Sequence, residues 1–315
     1  MAAATQFSPW LWAAFVILVL FFLALDLGVF HRQVRAPDFR ESLLWTLVWF
    51  LLAMGIAAAL ALGRGAEPCL QFLAGYVVEY SLSLDNVFAM ALIFAWFQVA
   101  PAQQHRVLFW GILGALFMRG LMIGAGIELL QAFHWLFYLM GLFLLWTGLR
   151  WGFSKQAVVQ PEKNQVVRLA RKFFPVTRDF EGRNFFGRVE GRRALTPLAL
   201  ALLTVEATDL IFATDSIPAI FAVTQNPFIV FTSNICAVLG LRSLYFLLAG
   251  ALRYFRFLKT GLAIVLVFIG AKMLLSWWCA IPTSITLAVI AAVIALSILL
   301  SLAKSGAPAP GGSSS

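Results

Sequence analysis

Charged side chains are scarce in this sequence, and their scarcity sets its class. Only 12% of the 315 residues are charged and 62% are hydrophobic, whereas soluble domains carry about 25% charged residues. Apolar runs of about 20 residues, long enough to cross a bilayer as helices, recur along the chain. The composition excludes a soluble globule and predicts an all-α, polytopic membrane protein.

Cysteine and histidine are equally scarce. The three cysteines are widely spaced without a CxxC pair, and the three histidines include no pair at helical spacing. Neither a disulfide framework nor a thiolate or histidine metal centre is indicated. The sequence also lacks HExxH and GxxxxGK[ST], which argues against a metalloprotease and an ATP-driven pump. We therefore predict no enzymatic activity and no cofactor.

Nine apolar runs predict nine transmembrane helices, at residues 9–30, 42–62, 69–97, 107–127, 134–152, 196–223, 228–252, 258–278 and 282–302. They divide the chain into two N-terminal helices (1–68), a three-helix unit (69–152), a basic loop (153–195), a second three-helix unit (196–280), a C-terminal helix (281–304) and a flexible tail (305–315).

Basic residues are strongly asymmetric about these spans. Nearly all Lys and Arg fall on one side, many of them in the 153–195 loop, and Arg64 stands alone on the other. Because basic loops mark the cytoplasmic side, we predict an outside N-terminus and a cytoplasmic C-terminus. A basic loop between membrane spans is a topology signal, so we do not predict nucleic-acid binding.

Two similar acidic stretches lie inside the apolar runs: EYSLSLDNVFAM from Glu79 and EATDLIFATDSIPAI from Glu206. When Glu79 is aligned with Asp209, Asp85 falls on Asp215 and Asn86 on Ser216, although these positions are 130 residues apart. The two three-helix units would then cross the membrane in opposite senses. Such inverted repeats are typical of secondary transporters, which bind their substrate near the midplane.

Helical geometry decides which of these acids share a face. At 100° per residue, Glu79 and Asp85 cannot share one, whereas Glu206 and Asp209 can. Pro218 removes a backbone donor from the Thr214 carbonyl, so we expect the sixth span to break there and, more weakly, the third span to loosen near Ser81 and Ser83.

Oxygen donors predominate among these side chains, which suits a hard divalent cation such as Mg²⁺, Ca²⁺ or Mn²⁺. The candidate metal ligands are Glu79, Asp85, Asn86, Glu206, Asp209, Asp215 and Ser216, with Arg119, Arg242 and Lys272 as supporting charges. An organic cation is an alternative substrate. In a purely structural interpretation the acids only pair with these bases, but five acids against three bases leave an excess of negative charge.

Four segments, EYSLSLDNVF, EATDLIFATDSIPA, FTSNICAVLGLRSLYFLL and GLAIVLVFIGAKMLL, resemble the signature segments of the TerC/Alx family of bacterial membrane proteins. The resemblance covers about residues 10–302, with small departures at Ala207 and Thr214. It implies a manganese exporter of the bacterial cytoplasmic membrane, in a family associated with tellurium resistance, and it carries the family's intramembrane acids onto the five acids named above.

The resulting hypothesis is a secondary exporter of Mn²⁺, with protons as the expected counter-ion because the same carboxylates can take protons when the metal leaves. The direction of transport comes from the resemblance alone. Export of another cation, such as Ca²⁺ or a cationic organic solute, is the alternative, as is a membrane scaffold that does not transport.

Overall fold

Eleven helices and one short hairpin make up the computed structural model, which describes residues 7–30, 38–153, 165–177, 182, 184–189, 191–248, 257–279 and 281–305. The elements are α1 (Pro9–Phe30), α2 (Phe39–Arg64), α3 (Ala66–Phe97), α4 (Pro101–Ala132), α5 (Trp135–Phe153), α6 (Gln165–Phe173), β1 (Phe186–Val189), β2 (Arg192–Leu195), α7 (Pro197–Phe221), α8 (Pro227–Leu239), α9 (Leu241–Leu248), α10 (Leu258–Leu275) and α11 (Thr283–Ser305).

The predicted class is confirmed. Eight helical segments in these ranges are long and apolar enough to cross a membrane, with α8 and α9 counted as one, and α1 is apolar over Pro9–Leu25. Prolines stand at the first positions of α4, α7 and α8, where a helix needs no N–H donor. Thr196 caps α7 through its hydroxyl, and Asn226 caps α8 through its side-chain oxygen.

Three details differ from the sequence-based expectations. Residues 101–106, which lie between two of the predicted spans, form the first turns of α4 because Pro101 starts the helix. The run expected at 228–252 is interrupted at Gly240, a residue of low helix propensity; residues 249–252 lie outside the described ranges. The 153–195 loop contains strands β1 and β2 besides the amphipathic helix α6.

The expected break at Pro218 was wrong. Helix α7 continues through Pro218 and ends at Phe221, so the proline lies in the last turn. A proline there removes one hydrogen bond to the Thr214 carbonyl without interrupting a long helix on its C-terminal side. Helix α3 is likewise continuous past Ser81 and Ser83, so the site is not built from broken helices.

Helix α3 is the central element of the bundle. It packs against α2, α7, α8, α9 and α11. Contacts along α3 and α7 run in opposite order, since Gly75 lies beside Ile220 whereas Asn86 is hydrogen-bonded to Asp209. The two helices are therefore antiparallel, as the inverted repeat requires of its corresponding first helices.

Helices α5 and α10, the third helices of the two units, form the closest pair. A methyl group at Gly148 would lie 2.8 Å from the Ala263 carbonyl oxygen, and one at Gly270 would lie 2.6 Å from the Leu145 nitrogen. Small residues that let backbones approach are a common means of helix association in membranes. Equivalent helices of the two units thus face each other, while the units' opposite sense in the membrane stays a prediction.

We expect Gly148→Leu to destabilise the protein by about 1–3 kcal/mol or more, because the added side chain overpacks the α5–α10 contact. Thermal unfolding of the purified protein, followed by size-exclusion chromatography, measures the effect. Gly152→Leu is the matched control, since Gly152 lies on the same helix with nothing within 4 Å of an added methyl group. Equal melting temperatures for the two variants would contradict the packing account.

Candidate functional site

A fully buried arginine joins the two acidic stretches. Arg119 of α4 is 1% exposed, and its Nε and Nη2 donate to Asp209 Oδ2 and Oδ1 at 3.0 and 2.8 Å. Its Nη1 donates to Glu79 Oε1 and, at 3.5 Å, to Asn234 Oδ1. Glu79 and Asp209 are the positions that correspond in the predicted repeat, so one guanidinium connects both units.

We call this cluster the Arg119 centre (Arg119, Glu79, Asp209 and Asn234). Its positive and negative charges do not balance. Two carboxylates, on residues 0% and 4% exposed, share one guanidinium. Bidentate arginine–carboxylate geometry stabilises one of the two negative charges strongly. A formal charge of −1 is left inside an apolar bundle, where an uncompensated charge is costly and marks a functional position.

Unused acceptors surround the centre. Asn86 donates its Nδ2 to Asp209 Oδ1 at 3.1 Å, while the Asn86 Oδ1 and the Glu79 Oε2 are buried without a hydrogen-bond partner. Buried polar atoms are nearly always hydrogen-bonded, so each exception needs an explanation. Two orphaned oxygens beside an excess negative charge are the arrangement that a cation would satisfy.

A closed crevice without room for a water molecule lies beside Asn86 and Asp209, between α3 and α7. It is lined by Asn86, Met90, Ile93, Val205, Thr208, Asp209 and Phe212. The Thr208 hydroxyl donates to the Thr204 carbonyl at 2.7 Å and keeps its lone pairs for another partner. Met90 adds the only thioether sulfur among the lining residues. The donor set is therefore mostly oxygen with one soft ligand.

Asp85 and Asp215 lie at opposite ends of the Arg119 centre. Because α3 and α7 are antiparallel and Asn86 is bonded to Asp209, Asp85 lies near the level of Asp209. Asp215 is six residues, or about 9 Å, further along α7 at the α-helical rise, which brings it near the level of Glu79. Asp215, 7% exposed, accepts a hydrogen bond from Thr147 of α5. The positive charge of Lys259, at the start of α10, attracts the Asp85 carboxylate.

Glu206 occupies a separate position on α7. It shares a face with Asp209, as its spacing predicts, and its carboxylate packs directly against Gly114 of α4, where any larger residue would overlap it. Ser216, next to Asp215, is 1% exposed with a hydroxyl that has no hydrogen-bond partner.

The candidate ligands therefore do not form one compact cluster. Glu79, Asn86 and Asp209 meet at the centre, with Asp85 on one side, Asp215 and Ser216 on the other, and Glu206 against α4. Among the residues whose positions are described, no three Asp, Glu, His or Cys side chains form a group that could hold a metal ion. Any bound cation would be shared between few carboxylates and neutral oxygens at a time.

The supporting bases have different surroundings. Arg119 is the partner of two predicted acids. Arg242 is buried at the beginning of α9, just after the Gly240 interruption. Lys272 lies near Glu67, at the first turn of α3, and so belongs to the end of the bundle rather than to the Arg119 centre.

Three residues of the site were not singled out from the sequence. Asn234 has a detectable signal, because an asparagine within the apolar FTSNICAVL run is unusual at membrane depth. Thr147 and Met90 have none, since a threonine or methionine in an apolar helix is ordinary core. Only the packing of α5 and α7 on their neighbours reveals them.

A helical membrane bundle with an ion-paired, acid-rich interior is the class that fold and site define. The family model for the integral membrane protein TerC family matches residues 64–307, so this chain belongs to the TerC family.

Curated relatives match over nearly the whole chain. The uncharacterized membrane protein STKORF319 of Myxococcus xanthus is 50% identical over 95% of this chain and 93% of its own length. The Alx proteins of Salmonella typhi and Escherichia coli K12, whose names describe a membrane-bound redox modulator, are 42% and 41% identical, each over 93% of this chain and 94% of their own lengths. No solved structure matches.

Replacing Arg119 by Gln is expected to destabilise the protein by about 3–5 kcal/mol, because removing one partner leaves buried carboxylates uncompensated. The melting temperature of the purified protein and its yield in the membrane measure the loss. Arg150→Gln is the control, since Arg150 is exposed at the end of α5 and stacks on Trp146.

A compensating variant sharpens this test. Glu79→Gln and Asp209→Asn, added to Arg119→Gln, remove the uncompensated charges and should recover part of the lost stability. A single Arg119→Gln variant as stable as the Arg150→Gln control would contradict the assignment of Arg119 as the charge partner of both acids.

Proposed function

We propose that this protein is a secondary transporter that exports Mn²⁺ across the cytoplasmic membrane of a bacterium. The proposal rests on the placement of Asp85 and Asp215, one at each end of the Arg119 centre on antiparallel helices. An ion that moves between them passes buried oxygens without a hydrogen-bond partner, on Asn86 and Glu79. Membership of the TerC family supports a membrane function of this kind.

Each carboxylate has a distinct role in this proposal. Asp85 receives the ion from the side of the bundle where α10 begins, the predicted cytoplasmic side, and Asp215 with Ser216 releases it on the other. The crevice beside Asn86 and Asp209 has no room for a water molecule, so the ion passes only when α3 and α7 move apart, and these two side chains then replace part of its water shell. Arg119 stays paired and limits the net charge that the passing cation must neutralise.

Exchange for protons follows from the same charges. When the dication leaves, the excess carboxylate charge is again uncompensated in an apolar interior. Protons that enter from the opposite side neutralise it and drive the next cycle. We therefore propose proton counter-transport, with the N-terminus outside and the C-terminus in the cytoplasm.

Discrimination among divalent ions is assigned to Met90. Carboxylate, amide and hydroxyl oxygens alone would accept Mg²⁺, Ca²⁺ and Mn²⁺ alike, whereas a thioether adds binding energy for Mn²⁺, the least hard of the three ions. Met90 lines the same crevice as Asn86 and Asp209. This placement supports Mn²⁺ over the alternative substrates, Ca²⁺ or a cationic organic solute.

Measuring the manganese content of cells tests the transport proposal. In a manganese-sensitive host, the wild-type protein is expected to lower cell manganese, and Asp85→Asn and Asp215→Asn to abolish that effect at equal membrane levels. Each substitution removes a charge that the ion needs on its path. The measured quantity is the metal content per cell, determined by mass spectrometry.

The matched control is Glu128→Gln, which neutralises an exposed acid near the end of α4. It should export like the wild type. Loss of calcium instead of manganese would favour the alternative cation, and unchanged metal content with well-inserted wild-type protein would favour a scaffold that does not transport.

Met90→Leu is expected to keep transport but to lower the preference for Mn²⁺ over Ca²⁺ about tenfold, the effect of losing about 1.4 kcal/mol of differential binding. Leucine conserves the volume, so the change should cost little stability. The measurement is competition between the two ions in vesicles. The control is Met54→Leu, because Met54 is a half-buried residue of α2. An unchanged ratio of Mn²⁺ to Ca²⁺ transport in Met90→Leu would show that Met90 does not determine selectivity.

A further inference from the structure

The loop between α5 and α7 contains a small sheet, which we call the hairpin platform (residues 174–177, 182, 184–189 and 191–196). Strands β1 and β2 pair antiparallel, and Val176 bridges to Leu195 on the other side of β2. The Leu195 amide donates to the Pro175 carbonyl at 2.9 Å, and the Thr177 amide donates to the Leu195 carbonyl at 2.9 Å. The platform is thus a defined structure, not an irregular connection.

Two transmembrane helices hold the platform at their N-terminal ends. Thr196, the cap of α7, donates its hydroxyl to the Asn184 carbonyl at 2.8 Å. At the start of α4, Gln103 donates to the Gly182 carbonyl at 2.5 Å, and the Arg106 guanidinium lies 5.0 Å from the centre of the Phe185 ring. Helices α4 and α7 are the ones that contribute Arg119 and Asp209 to the centre.

The hairpin places like charges opposite each other. Arg188 of β1 is the cross-strand partner of Arg193 of β2. Both line a cavity of about 590 Å³, together with Phe174, Phe186, Gly187, Ala194 and Leu195. Two guanidinium groups at one cavity offer several N–H donors, and a phosphate group accepts such donors in charge-assisted hydrogen bonds.

Aromatic residues give the cavity a second, apolar character. Phe174 and Phe186 line it with 53% and 66% of their surfaces exposed. A soluble anion gains nothing from two exposed phenyl rings, whereas a lipid buries its glycerol and upper acyl chain against them.

The depth of the cavity relative to the membrane also favours a lipid as its ligand. Leu195 stands two residues before the first residue of α7, so the cavity lies at the level where the apolar span begins and the headgroup layer is expected. The neighbouring α6 carries exposed Leu169 and Phe173 beside Arg168, Arg171 and Lys172. A basic amphipathic helix of this kind is typical of a membrane surface.

We propose that the cavity of the hairpin platform binds an anionic phospholipid, with its phosphate between Arg188 and Arg193 and its apolar part against Phe174 and Phe186. This site is independent of the transported ion. Because the platform is attached to α4 and α7, the bound lipid also stabilises the ends of the two helices that form the Arg119 centre.

Lipid binding to the full-length purified protein tests the proposal. Native mass spectrometry with phosphatidylglycerol and phosphatidylcholine is expected to show preferential retention of the anionic lipid by the wild type. The double variant Arg188→Gln/Arg193→Gln should lose that preference about tenfold, since juxtamembrane basic residues carry much of the attraction to anionic lipid. Equal retention of both lipids by the wild type would overturn the proposal.

The controls separate a site from general surface charge. Arg64→Gln/Arg150→Gln removes the same net charge from two arginines that stack on Phe7 and Trp146, and it should retain the lipid like the wild type. An equal loss in this control would overturn the site. Arg188→Lys/Arg193→Lys keeps the charge and should recover much of the binding, which answers the objection that the glutamine variant is misfolded.

A final arm distinguishes a lipid from a free anion. Phe174→Ala/Phe186→Ala should weaken phosphatidylglycerol retention, and inorganic phosphate should fail to displace the lipid. Full displacement by phosphate, together with unchanged retention in the phenylalanine variant, would show a simple anion site and contradict the lipid assignment.

Discussion

The buried guanidinium of Arg119 is the constraint on which the interior of this protein depends. A charge that is 1% exposed cannot remain without partners, and the three helices α3, α7 and α8 supply them. Asp209 of α7 binds it in two places, Glu79 of α3 in a third, and α4 carries the arginine itself. Because removing Arg119 leaves two buried carboxylates uncompensated, the cluster fixes how these helices pack.

The centre also explains why further acids are useful nearby. One guanidinium balances only one of its two carboxylates, so the interior is already negative where Asp85 and Asp215 flank it. Each unit contributes one acid that pairs with Arg119 and one that does not, and the antiparallel helices place the second pair of acids at opposite ends of the centre. A structure held together only by ion pairs would need neither acid of this second pair.

Long apolar runs made the fold predictable, because about 20 apolar residues leave the backbone few alternatives to a membrane helix. The acids were predictable for the same reason: a carboxylate in such a run is expensive. The partners of these acids were less predictable from the sequence. Glu79 and Asp209 proved to share Arg119, and only tertiary packing decides that one arginine serves both units.

Predictions from single residues such as proline and glycine were wrong where the outcome depended on the residue's position within a helix. Pro218 predicts a break, but it stands in the final turn of α7, where the helix can end three residues later. Gly240 gave no comparable warning, yet it separates α8 from α9. Strands β1 and β2 lie in a polar, charged loop without strong alternation, and hydrogen bonds join this loop to the beginnings of α4 and α7.

Flux of Mn²⁺ through the purified protein tests the central claim most directly. In vesicles that contain a manganese-quenched dye, we expect saturable quenching with the wild type, acceleration by an opposing proton gradient, and none of this with Asp85→Asn at equal reconstitution. Quenching that matches protein-free vesicles, from a wild-type protein shown to be folded, would contradict the transport account.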